Sequence, residues 1–156
     1  MAANLSKVWK IKDKGDMLRA LGEYLDEKCD YGENIEELSS TERIFFVMQY
    51  LEMEVNNGGF NQFFFNSSGN FADEIVNACE EIGADATAEI CKKALDALGE
   101  LPEVGTMERE EVLDELLDSD EVNDILEECD EAFYEYEDDL EELCYEYVMD
   151  RQDHFS

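Results

Sequence analysis

At 156 residues the chain has room for one domain, and with 44% hydrophobic residues it has the material for a core. Its formal net charge of −32 excludes direct binding to a nucleic-acid backbone or an anionic membrane, since both repel it. A surface of that sign suits basic proteins or cations.

In chain order, every readable element is helical. Met17, Leu18, Leu21, Tyr24 and Leu25 share one face of a first helix. Ser39 and Glu42 have the spacing of a capping box and open a second, with Ile44, Met48, Leu51 and Val55 on its apolar side. Asn56-Asn57-Gly58-Gly59 should break it, because Gly supplies backbone conformations that end a helix. Phe60 to Phe65 then reads as one or two helical turns. Asn70 is the expected cap of a third main helix carrying Phe71, Ile75, Ala78, Cys79 and Ile82, stopped by Gly83. Asp85 is the expected cap of the next, with Ile90, Cys91, Ala94, Leu95 and Leu98, stopped by Gly99. The single proline, Pro102, falls in a linker.

The last third carries the charge. Residues 1–40 sum to −3, residues 41–99 to −7 and residues 100–156 to −22. Lys7, Lys10, Lys12 and Lys14 near the start argue against a uniformly acidic, salt-adapted surface. From Glu110 to Asp150 there is no Lys or Arg in 41 residues, of which 20 are Asp or Glu. Drawn as a helix this is roughly one acid per 3 Å, against a phosphate about every 3.4 Å along one strand of B-DNA. Interleaved Leu, Val, Ile, Phe and Tyr argue against a disordered tail.

At 100° per residue, Val122, Ile125, Leu126, Cys129, Phe133, Tyr136, Leu140, Leu143, Cys144 and Tyr147 form one stripe. Opposite it lie Asp124, Glu127, Glu128, Glu131, Glu135, Asp138, Glu142 and Glu146; with Asp139 these are the candidate partner-binding residues. Ser119 is the expected N-cap, with Asp120 and Glu121 suited to the positive end of the helix dipole. The simplest expectation is one helix of about eight turns with a carboxylate ridge. Like charges four residues apart cost a few tenths of a kcal/mol each, which burial of the stripe, at about 1.5–3 kcal/mol per large side chain, outweighs.

Catalytic and metal chemistry find little support. The sole histidine, His154, lies near the end of the chain, where fraying is expected. Asp118 and Asp120 could begin an EF-hand loop, but Asn123 stands where Gly is needed. Zinc spacing and the helical di-iron Glu-x-x-His pattern are absent, so the chain is expected to be non-enzymatic and to need no cofactor. The five cysteines form no CxxC pair and read as buried thiols in a reducing cytosol. No leader, spanning segment or lipidation motif is visible, so a cytoplasmic location is expected.

The stretch EVNNGGFNQFFFNSSG, starting at Glu54, is the other unusual feature. Its amides beside aromatic rings could line a small-ligand pocket. The simpler account has Asn and Ser capping helix ends while the Phe residues fill the core. With the following IVNACEEIGADATAEICKKAL and the terminal FYEYEDDLEELCYEYV, this stretch resembles the signature of a bacterial DNA-mimic protein family built on a domain of unknown function. The likeness covers residues 38–150 and leaves 1–37 as a variable N-terminal helical region of the same domain. Asn56, Asn57, Gly58, Gly59, Phe60, Gln62, Phe63, Phe64 and Asn66 carry its core.

The resemblance implies an all-α single domain and a non-enzymatic role; in the best-known member of that family a dimer imitates the charge pattern of duplex DNA and occupies a transcription regulator's DNA-binding surface. The expected partner is therefore a basic DNA-binding protein, with no direct nucleic-acid or membrane contact, and a homodimer is in keeping with it. The alternative expectations are an acidic inhibitor or immunity protein against a basic toxin or nuclease, and a non-catalytic small-ligand-binding protein.

Overall fold

A computed structural model describes residues 5–99 and 106–156 and shows an all-α fold. The helices are α1 (Leu5–Val8), α2 (Lys14–Lys28), α3 (Ser40–Phe65), α4 (Ile75–Ile82), α5 (Asp85–Leu98), α6 (Thr106–Leu116), α7 (Asp120–Tyr134) and α8 (Leu140–Met149). Pro102 lies outside the described residues. Among the described residues no helix is long and apolar enough to cross a membrane.

α3 is the centre of the bundle and packs against α2, α4, α6, α7 and α8. Its start follows the sequence: the Ser39 side chain accepts the Glu42 N–H while Glu42 accepts the Ser39 N–H at 2.8 Å. Glu42 is fully buried, and both its oxygens accept from the Lys28 ammonium at 2.9 Å. It also accepts the Ser156 N–H at 3.2 Å, so one carboxylate ties the end of α2, the start of α3 and the C-terminal residues together. That end is not frayed as expected. His154 sits in a 3-10 turn, its carbonyl accepts the Ser39 hydroxyl, and Phe155 is buried against Trp9 and Phe45.

Four further expectations change. Asp85 is the first residue of α5 and not its cap, a position that Ala84 holds without a side-chain hydrogen bond. No α-helix opens at Asn70: Ser67–Glu74 is 3-10 helix, in which Phe71 packs edge-on against Phe46, and α4 starts only at Ile75. The sequence reading singles out no helix between Pro102 and Ser119, yet α6 is there. Its segment has no one-sided apolar stripe to announce it, and Leu113 is its buried anchor.

The expected eight-turn acidic helix is two helices, α7 and α8, separated by a turn at 135–139. Tyr136 adopts φ 48°, the left-handed conformation that ends a helix, and is exposed rather than part of the buried stripe. α5 packs in the angle between α4 and α7, and α8 returns against α2. All five cysteines are free and buried.

Candidate carboxylate interface

α7 is built as its sequence dictates. Ser119 accepts the Val122 N–H, Asp120 and Glu121 occupy the first turn, and Leu126, Cys129 and Phe133 face the core. The opposite side carries Asp124, Glu127 and Glu131, continued by the C-cap Glu135, at intervals of three or four residues, all exposed. This row rises about 5 Å per carboxylate, sparser than the sequence count of all acids. With exposed Glu146 on α8, these side chains enter no ion pair among the described residues.

The remaining candidates are engaged within the fold. Glu128 accepts from Lys93 at 2.9 Å, and Glu142 pairs with Lys14. Asp139 caps α8 by accepting the Glu142 N–H at 3.1 Å. Asp138 accepts the Thr87 N–H at 2.7 Å and the Thr87 hydroxyl at 3.0 Å, satisfying the first turn of α5 from another element. The structure thus separates an outward row from acids used as internal fasteners.

The Asn-Gly stretch is where α7 meets α3. Gly58 and Gly59 leave helical geometry within α3, and Gly59 has φ 78° with ψ −178°, a region open essentially to glycine alone. A Cβ on Gly59 would collide with the Asp130 carboxylate. That carboxylate accepts the Phe60 N–H at 2.7 Å, freed where the helix breaks. Burial holds the Asp130 carboxyl above the usual carboxylate range; the Phe60 N–H opposes the shift, and nearby Glu127 and Glu131 add to it.

Around the break, Glu54 accepts from Gln62 and Asn66, each at 2.8 Å. Asn56 donates to the Tyr136 hydroxyl at 2.6 Å, the Tyr134 hydroxyl donates to the Val55 carbonyl at 2.7 Å, and Asn57 is exposed. Phe60, Phe63 and Phe64 are fully buried, and Phe60 meets Phe133 of α7 edge-on at 6.0 Å. The amides therefore fasten the joint, and the rings fill the core beneath it. Asp130 is the residue sequence reasoning missed. Its only local signal is an acid adjoining the apolar stripe, and its partner is 70 positions away.

Among the described residues no group of three or more His, Cys, Asp or Glu side chains is placed to hold a metal ion. What the fold presents is an all-α protein with a one-signed carboxylate face braced by a glycine-broken central helix. The DMP19-like protein family matches residues 36–151, and the chain belongs to that family. Neither a curated protein nor a solved structure matches it.

Proposed function

We propose that this protein is a DNA mimic, which sequesters a basic DNA-binding protein, such as a transcription regulator, by offering carboxylates where phosphates would sit. The observation that carries this reading is the row Asp124, Glu127, Glu131 and Glu135, exposed along α7 and its C-cap and without ion pairs among the described residues. Membership of the DMP19-like family supports it. The role is binding, not catalysis, and it needs no cofactor. Attraction comes from the partner's Lys and Arg, so association is electrostatically steered and weakened by salt.

The test is capture of proteins from the native cell extract on the immobilised chain, with elution by a salt gradient and competition by duplex DNA. DNA-binding proteins should be retained and displaced by the duplex. Reversing all four charges (Asp124→Lys, Glu127→Lys, Glu131→Lys, Glu135→Lys) should abolish capture while helix content by circular dichroism is unchanged. Capture that survives the reversal, or is indifferent to duplex DNA, overturns the reading.

A further inference from the structure

Beside the end of the carboxylate row the surface is not convex. A cavity of about 480 Å³, open to solvent, runs between α2 and α3 and is also lined by Leu140 and Glu141 at the start of α8. That is within the volume range of sites that enclose small ligands or short peptide segments. Its floor is apolar, from Leu18, Phe46 and the ring of Tyr50, and its rim carries Met53, which is 53% exposed.

The charged lining is mostly acidic. Glu23, Asp26, Glu52 and Glu141 all line the cavity. The single base there, Arg19, is directed to Asp16 of its own helix at 3.5 Å. Asp26 accepts from Tyr50 at 2.9 Å, and Glu52 has only a long contact, 3.3 Å, from the Tyr136 hydroxyl. Burial pushes the Glu52 carboxyl up, and the charges of Glu141 and Asp139 push the same way. No cation of the described chain neutralises this group.

The hollow also has a helix-destabilising cause. Gly22 sits in the middle of α2, where glycine costs about 1 kcal/mol relative to alanine. No steric demand requires it: an added Cβ would meet nothing closer than Gln49 Oε1 at 3.7 Å, an ordinary contact. Its φ is not positive either. The absent side chain leaves the groove open.

We propose that the α2–α3 groove is the anchor for an arginine side chain on a segment of the basic protein partner. Its stem lies on Leu18, Phe46 and Tyr50, and its guanidinium lies between Glu52 and Glu141. The proposal rests on the reading of the partner as a basic protein and places one of its arginines. Arginine suits the groove better than a small polyamine because its weakly hydrated planar head tolerates partial burial, and adjoining apolar residues of a peptide can use the floor. The row on α7 runs toward the groove: Tyr136, next to Glu135, touches the groove residues Asn56 and Glu52.

The probe is the capped tripeptide leucyl-arginyl-leucine, titrated into the full chain and followed by calorimetry and by amide NMR shifts. Saturable binding should shift the signals of Gly22, Met53 and Glu141. Replacing arginine by the neutral isostere citrulline should weaken binding about ten-fold or more, as should Glu52→Gln. Gly22→Leu should fill the groove and abolish binding while raising the melting temperature, so loss of fold cannot mimic loss of the site. Equal binding of the citrulline peptide, indifference to Gly22→Leu, shifts confined to α7, or spermidine binding as tightly as the peptide overturns the proposal. The two readings fail separately. If the peptide seats in the groove while duplex DNA does not compete for the captured partner, mimicry falls and the groove stands. If mimicry holds and the peptide does not seat, the groove falls alone.

Discussion

Two helices of this protein are broken, and the breaks have different causes. In α3 the break falls on Gly58 and Gly59, at a backbone geometry that only glycine adopts without strain. Between α7 and α8 there is no glycine, and Tyr136 takes the left-handed turn at a cost of about 1–3 kcal/mol. What offsets that strain is tertiary. The Tyr136 hydroxyl meets Asn56, its ring lies 5.6 Å from Phe133, Asp138 reaches Thr87 and Asp139 caps α8. Continuing the helix would have stacked Glu135, Asp138, Asp139 and Glu142 as like-charged neighbours. Breaking it turns two of those acids into caps. One break is therefore written in local backbone preference, the other in where carboxylates can find N–H groups.

That contrast can be attacked directly. The largest effect should come from Gly59→Ala, which forces a Cβ into the disallowed geometry and displaces the Asp130 carboxylate from the Phe60 N–H. A loss of about 3 kcal/mol is expected by urea unfolding. At the second break, Asp138→Ala removes the acceptor for the first turn of α5 and should cost about 1 kcal/mol, the usual value of a lost cap. If it costs nothing, the turn at 135–139 is not set by capping.

The smallest effect per group is in pH. Burial holds the carboxyls of Asp26, Glu52 and Asp130 above their ordinary values, so the native state binds more protons than the unfolded chain in the window just above those values. Stability from these groups falls as pH rises through the window and is regained on acidification. The melting temperature should therefore rise as the pH falls from neutrality toward the ordinary carboxylate range, and Asp130→Asn should flatten part of that slope.

How far the sequence could be read depends on the range of the interaction concerned. The capping box at Ser39 and Glu42, the Ser119 cap, the stops at Gly83 and Gly99 and the break at Gly58-Gly59 are all set within four or five residues, and all were legible. The turn at Tyr136 was not. The apolar positions on either side of it keep the same helical phase, so a periodicity argument reads straight through. The division of the acids was equally hidden. Glu127 and Glu128 are identical neighbours, and only the position of Lys93 on α5 makes one an ion-pair partner and leaves the other in the outward row. The groove depends on α2 lying along α3, which no local pattern encodes.

The five buried thiols turn the fold into its own clock. They fall at the end of α2 and within α4, α5, α7 and α8, and burial pushes Cys129 up to about 11 and raises Cys29 and Cys144 as well. A hydrogen bond to Cys79, followed by burial, does the same for Cys91. In the closed molecule burial shields all five from reagents in solution. Alkylation of any one therefore waits for the opening of its own helix, and five labelling rates would order the bundle from its loosest element to its most firmly held without a single mutation.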